Sequence, residues 1–252
     1  MPLHLKNPHS ILAALGRRPA DVIEVRLPPR GGEAWDAVRE NAVRLGVTTS
    51  TSHSAGRKPS KRRGRSDTKS ERSSAGEAVI RALSGVSLGE LFDDVPRRAG
   101  GRGLWLALDC LQDPHNLGAI FRTAAFFGVQ GIILTADRSA PLSGVAYDTA
   151  AGGVEFVPFA MPVNLGRALE VAREAGVWIL GSSEHAEHDV ATIPRDRPWL
   201  LVIGNEARGL RRMTLERCDQ LCCIRARGSI RSLNASVAAG ILMAALVGPS
   251  VS

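Results

Sequence analysis

The hydrophobic rhythm of the chain changes near residue 104. Before it, short apolar runs are interleaved with charge. Pro8–Leu15 sets Ile11, Leu12 and Leu15 on one helical face, and Glu33–Leu45 repeats the pattern with Trp35, Val38, Ala42 and Leu45. Val22–Leu27 suits a strand, Gly46 is placed to stop the second helix, and Val47–Thr51 can begin another strand. Glu77–Leu83 reads as a further strand and Leu88–Phe92 as a short amphipathic piece.

From Leu104 onward short apolar strands alternate with helices. The strands expected are Leu104–Leu108, Gly131–Leu134, Val154–Val157, Trp178–Leu180, Trp199–Ile203 and Leu221–Ile224. The helices expected are Leu117–Phe127, Gly144–Ala151, Leu165–Ala175, Thr214–Cys218 and Ala235–Val247. This order predicts an α/β fold, a mostly parallel sheet with helices on both faces. Residues 1–92 then form a smaller α/β domain, the Gly- and Arg-rich stretch 93–103 a linker, and residues 104–252 the second domain. In such sheets ligands bind beyond the carboxyl ends of the strands.

Composition changes this picture in three ways. With 252 residues and 44% hydrophobic content there is enough for a real core. No apolar run reaches the length of a membrane span, and Met1–Lys6 has no signal-peptide character, so a cytoplasmic protein is expected. The formal charge of +7 is unevenly placed: residues 53–72 hold eight Lys and Arg against Asp67 and Glu71, six of the seven net charges. This basic stretch, within an insertion at 52–75 that has almost nothing to bury, reads either as a flexible RNA-tethering loop or as a solvated insertion without a specific role. The four cysteines, Cys110, Cys218, Cys222 and Cys223, lack paired CxxC spacing and are expected to be buried, reduced and inert. His185 and His188 lack further ligands, so no metal is expected.

The second domain has neither GxGxxG after its first strand nor GxxxxGK[ST], which argues against ordinary dinucleotide and P-loop sites. Three polar, glycine-punctuated segments instead follow apolar runs: Asn116–Arg122, Gly204–Gly209 and Ser229–Ser236. Asn116 suits a helix cap. Arg122 sits in an otherwise apolar helix and needs an anion or carboxylate partner. The glycines flanking Glu206 allow close backbone approach to a ligand. Ser232 and Asn234 suit substrate contacts, and Asn234 or Ser236 suits a cap for the last helix.

In order and spacing, these segments resemble the three signature motifs of the SpoU (SPOUT-class) RNA 2′-O-ribose methyltransferases. Asp113–Gly118 and Asp137–Ala140 look most like the 23S rRNA guanosine-2′-O-methyltransferase branch. The resemblance implies a C-terminal trefoil knot, S-adenosylmethionine as methyl donor, a homodimer, and a ribosomal-protein-like RNA-binding domain ahead of the catalytic one. It implies a cofactor pocket at Gly181, Ser182, Gly204, Ile224, Leu233 and Asn234. Catalysis would fall to Asn116, Arg122, Glu206, Ser232 and Asn234, with a central role for Arg122 that is in some members that of a general base; the reading favoured for this chain is that Arg122 stabilises the developing alkoxide and holds a phosphate. A guanosine of 23S rRNA is the expected substrate. The alternatives are tRNA, or a non-catalytic RNA-binding ribosome-assembly factor that keeps the fold.

Overall fold

The computed structural model describes residues 2–51, 76–95, 97, 100–135 and 139–248. The basic segment 53–72 and Asp137 lie outside these residues. The chain forms two compact units, Met1–Leu83 and Ser84–Ser252.

In the first unit, β1 (Pro2–Leu5), β2 (Val22–Leu27), β3 (Thr49–Thr51) and β4 (Glu77–Arg81) form a sheet of order β1-β4-β2-β3. Helices α1 (Pro8–Arg17) and α2 (Glu33–Arg44) pack together. Ile11, Ala14, Leu15, Val38 and Ala42 from the helices join Leu5, Val25, Ala78 and Ile80 from the strands in the core. Helix α2 is a crossover between the parallel pair β2 and β3, and Gly46, at φ +69°, ends it as expected. The unforeseen element is β1, which pairs antiparallel with β4.

The second unit begins earlier than the sequence suggests. Helix α3 (Leu88–Leu91), closed by a capping box between Ser87 and Glu90, belongs to it. The Trp105 indole donates to the Leu91 carbonyl at 3.2 Å, and Leu91, Phe92 and Val95 are buried in this unit's core. The boundary therefore falls after Leu83 rather than 92, because the apolar side chains of 88–95 are needed to cover the sheet.

That sheet consists of β5 (Leu104–Leu108), β6 (Gly131–Leu134), β7 (Phe159–Ala160), β8 (Trp178–Ser182), β9 (Trp199–Ile203) and β10 (Gln220–Cys222). Its order is β10-β8-β9-β5-β6-β7, with every pair parallel. All residues of β5, β6 and β9 are buried, as expected for strands covered on both faces. The helices are α4 (Pro114–Phe127), α5 (Gly144–Ala150), α6 (Leu165–Glu174), α7 (Arg212–Leu215) and α8 (Ala235–Val247). From β5 the chain runs outward to β6 and β7, then returns on the other side to β8, β9 and β10. The order reverses between β5 and β9, which makes their carboxyl ends the binding crevice of the sheet.

Several elements differ from the sequence reading: α7 is Arg212–Leu215 rather than Thr214–Cys218, and β10 is Gln220–Cys222 rather than Leu221–Ile224. Val154–Val157 is not a strand: the left-handed Ala151 (φ 48°) and Gly152 (φ 98°) turn the chain into a 3₁₀ turn at Gly153–Glu155, and the strand is Phe159–Ala160. Helix α4 begins three residues before Leu117, because Asp113 caps it and Pro114 occupies its first turn.

Helices α4 and α5 pack closely. A Cβ on Gly118 would fall on the Ala146 carbonyl oxygen and within 2.7 Å of Thr149 Cβ. Gly118→Ala should lower stability by about 1–3 kcal/mol through overpacking. Gly16→Ala, at an exposed helical position with open space around it, should raise stability by about 0.5–1 kcal/mol. Thermal denaturation of the two variants checks both signs.

Candidate active site

The site is built where β5 and β9 end side by side. Asp109, the first residue beyond β5, extends the pairing by donating its N–H to the Ile203 carbonyl at 2.8 Å. Its side chain is fully buried and accepts from four donors, the Cys110 thiol at 3.4 Å being the most distant. Arg211 reaches one oxygen through Nη2 at 2.7 Å and the other through Nε at 3.1 Å, and Thr214 Oγ1 donates at 3.0 Å. This two-pronged ion pair brings the chain after β9 back onto the end of β5. Cys110 follows in a left-handed conformation (φ 62°). Its N–H donates to Thr135 Oγ1 at 2.9 Å, and its carbonyl accepts from Asn205 Nδ2 at 2.9 Å.

The loop after β9 folds tightly on itself. Asn205 and Gly209 exchange backbone hydrogen bonds at 3.0 and 2.9 Å, and Asn205 Oδ1 accepts from the N–H groups of Ala207 and Arg208. Gly204 has no room for a side chain, since a Cβ would lie 2.5 Å from both Gly209 O and Leu210 N. The loop displays Glu206 at its exposed tip.

Asn116 lies in the first turn of α4 and is only 7% exposed. It is not the cap. Asp113 takes that role, accepting from His115 N–H at 2.8 Å. The Asn116 amide is thereby free to bridge the other two segments. Asn234 caps α8, its Oδ1 accepting from Ser236 and Val237 N–H groups and from Ser236 Oγ. Its NH₂ must then point outward, and it donates to Asn116 Oδ1 at 2.9 Å. That leaves the Asn116 NH₂ to donate to Glu206 Oε1 at 3.2 Å. Asn234, Asn116 and Glu206 form one directed hydrogen-bond chain across all three motif segments.

The structure does not bring every expected residue into this chain. Arg122 is six positions along α4, about 120° round the helix from Asn116. It is exposed, has no side-chain partner among the described residues, and lines a cavity of about 420 Å³ with Thr123, Phe126 and Phe156. Glu206 bonds Asn116 and Asn205 rather than Arg122. Ser232 is exposed and likewise without a partner among the described residues. Of the residues expected to hold a cofactor, Gly181, Ser182, Gly204 and Ile224 lie at or just beyond neighbouring strand ends. Gly181 and Ser182 end β8, opposite Leu221 and Cys222 of β10, while Gly181 pairs with Val202 of β9. Ser182 Oγ donates to the Val202 carbonyl at 3.0 Å. Gly204 and Ile224 follow the neighbouring strand ends, and Leu233, 52% exposed, precedes the α8 cap.

A family model described as SpoU rRNA Methylase family matches residues 103–244. The chain belongs to this family. The 23S rRNA (guanosine-2'-O-)-methyltransferase RlmB of Pseudomonas aeruginosa is 39% identical over 153 residues, 61% of this chain and 62% of that protein. The alignment thus spans under two thirds of that relative. RlmB of Photobacterium profundum is 34% identical over 236 residues, 93% of each chain. The crystal structure of the SpoU methyltransferase AviRb from Streptomyces viridochromogenes, in complex with the cofactor AdoMet, shares the fold. Its TM-score is 0.74 at 21% identity, over 98% of this chain and 89% of that one.

Within this SpoU-family site, sequence reasoning missed Asp109, Arg211, Thr214 and Asn205, the residues that hold the loops rather than face a ligand. The available signal was a carboxylate placed directly after the all-apolar run Leu104–Leu108. Trp178, at the start of β8, is 45% exposed, with the Arg197 guanidinium 4.5 Å above its ring. The four cysteines form no disulfide, and Cys110, Cys222 and Cys223 are buried. Burial pushes Cys222 up to about 12 and Cys218 up to about 11. Among the described residues, no group of His, Cys, Asp and Glu has the arrangement of a metal site, and no helix is long and apolar enough to cross a membrane.

Two outcomes follow. Asp109 is fully buried whereas Arg211 is 47% exposed, so removing the arginine strands a charge and removing the carboxylate does not. Arg211→Met should cost about 3 kcal/mol, and Asp109→Asn only about 1–2 kcal/mol, as read by chemical denaturation. The raised thiols favour the neutral form in the folded state. Their stabilisation is complete below the ordinary value of 9.0 and is lost as pH rises from there towards about 12. At pH 7.5 iodoacetamide should therefore leave Cys222 unmodified until the protein is denatured, and stability should fall above pH 9.

Proposed function

We propose that this chain transfers a methyl group from S-adenosylmethionine to a ribose 2′-hydroxyl of RNA, with a guanosine of 23S rRNA as substrate. The observation that carries the proposal is the Asn234–Asn116–Glu206 hydrogen-bond chain, which joins the three motif segments at the strand ends. The residues around it fit the cofactor. Gly204 and Gly181 offer backbone without side chains, and the exposed Leu233 and half-buried Ile224 offer apolar surface to an adenine ring. When bound, S-adenosylmethionine supplies an electrophilic methyl carbon on a sulfonium.

The protein's work is then to position the hydroxyl, whose proton passes to solvent water as the ether forms, and positioning alone can supply up to roughly 7–11 kcal/mol. Glu206 keeps acceptor capacity beyond its bonds to Asn116 and Asn205, enough to take a ribose hydroxyl. Ser232 has a free hydroxyl beside Asn234 for the same substrate. A guanidinium has donors and no acceptor; with no side-chain partner among the described residues, that of Arg122 suits a phosphate and the developing alkoxide rather than proton abstraction.

The proposal extends to assembly. Helix α8 packs along α4 and exposes Val237, Ile241 and Val247, while α4 exposes Phe126. We read this apolar face as the contact of a homodimer, which would set Arg122 at the boundary with the second copy. The return of the chain from the edge strand β10 to α8 is read as the threading of the trefoil knot. The first unit is read as the RNA-binding domain, and the protein as cytoplasmic.

With radiolabelled S-adenosylmethionine and 23S rRNA, Arg122→Ala should lose about 100-fold or more in methyl transfer while cofactor affinity by calorimetry stays near wild type. Near-normal transfer by the variant removes Arg122 from the site. No 2′-O-methyl product from the wild-type protein overturns the proposed activity.

A further inference from the structure

Arginines in the second unit fall into two groups. Arg167, Arg173, Arg197 and Arg217 each lie within 4.0 Å of a carboxylate, as do Arg97, Arg211, Arg212 and Arg225. Arg122, Arg208, Arg227 and Arg231 have no such partner among the described residues and are exposed, as are Arg102 and Arg195 elsewhere on the unit. Three of the unpaired group, Arg208, Arg227 and Arg231, lie on the two loops that carry Glu206 and Asn234. The stretch from Ile224 to Asn234 holds three arginines and no acidic residue. Arg225 anchors the base of this loop, donating to the Glu187 carbonyl at 2.8 Å and lying 3.8 Å from Asp189. Beyond it, Arg227 and Arg231 have no carboxylate partner among the described residues.

Chain connectivity bounds how far they lie from the hydrogen-bond chain. Arg231 is three residues from Asn234, so their Cα atoms are within about 11 Å, and Arg227, seven residues from Asn234, is within about 25 Å at the outer end of the loop. Arg208 is two residues from Glu206, within about 7 Å. Its N–H donates to Asn205 Oδ1 at 3.2 Å, which ties its backbone into the loop. Asn234 and Glu206 both bond Asn116. Two loops from different strand ends thus bring unneutralised guanidinium groups to opposite ends of one short polar chain.

Three like charges near one site repel one another, and a bound anion relieves that cost. The methyl donor is not that anion: its sulfonium and amino group outweigh its single carboxylate, giving a net positive charge. The geometry points to Arg208, Arg227 and Arg231 as a rim that grips successive phosphates of the RNA strand on either side of the target ribose. This rim presupposes the RNA substrate proposed above. It also places salt-sensitive RNA contacts in the second unit itself, independent of the basic segment 53–72.

The test measures binding of a 23S rRNA fragment from 50 to 500 mM KCl, for the full chain and for the Arg208→Gln/Arg227→Gln/Arg231→Gln variant. Loss of three single-strand phosphate contacts should flatten the plot of log K against log [salt] by about 2. The apparent KM for RNA should rise about 10-fold or more at moderate salt, with kcat at saturating RNA and S-adenosylmethionine affinity near wild type. The matching triple Lys variant keeps the charges and should keep the wild-type slope; a variant harmed only by misfolding would lose cofactor affinity as well. An unchanged slope and KM in the Gln variant, with methyl transfer intact, overturns the rim and leaves the reaction standing. A flattened slope in a protein whose wild type makes no 2′-O-methyl product keeps the rim and overturns the reaction.

Discussion

Asn116 is the residue on which three remote parts of the chain must agree. Its partners lie 90 and 118 positions further along. Asn234 has already committed its oxygen to the start of α8, so its NH₂ group needs an acceptor, and Asn116 supplies it. The Asn116 amide has then only one orientation left, with its donor towards Glu206. Each bond adds about 0.5–1.5 kcal/mol net, but an unmet buried amide costs about 1–3 kcal/mol. With Asn116 only 7% exposed, the arrangement is close to all-or-none. Moving any one of the three segments disturbs the other two.

The sheet makes that agreement possible. Reversal of strand order between β5 and β9 puts their carboxyl ends side by side, and β8 and β10 complete the row. The Asp109–Arg211 pair then fixes the returning chain after β9 against β5, while Asn205 ties the Glu206 loop to Cys110. The polar groups that hold the loops lie beneath the groups that face outward. Close contacts at Gly118 and Gly204 set α4 and the loop at distances that a side chain would not allow.

Much of this was legible in the sequence, for identifiable reasons. Strands such as Leu104–Leu108 and Trp199–Ile203 are continuous apolar runs because both sheet faces are covered, and their bounds match those expected. The last helix, Ala235–Val247, also has the expected bounds. The errors arose where tertiary contacts decide. Val154 and Val157 are buried, but in a turn forced by two left-handed residues, so apolar content alone misassigned them. Leu91 looked like part of the first domain because its partner, Trp105, lies across a Gly- and Arg-rich stretch. Asn116 looked like a cap because caps are local, whereas its two actual partners are far away in sequence. The same locality hid Asp109, whose role depends on an arginine about a hundred positions later. The motif residues were easier to find than the ones supporting them, because order and spacing are visible in one dimension and burial is not.

The central claim is that this site methylates one ribose, and that the Asn116 bridge is what assembles it. The most direct measurement is a nucleotide-resolved map of ribose methylation across the rRNA of cells carrying the intact gene, a deletion, or Asn116→Ala. The account predicts one guanosine of 23S rRNA that is methylated with the intact gene and unmethylated in both altered strains. A map unchanged by the deletion would contradict the assigned reaction, and full methylation with Asn116→Ala would contradict the role of the bridge.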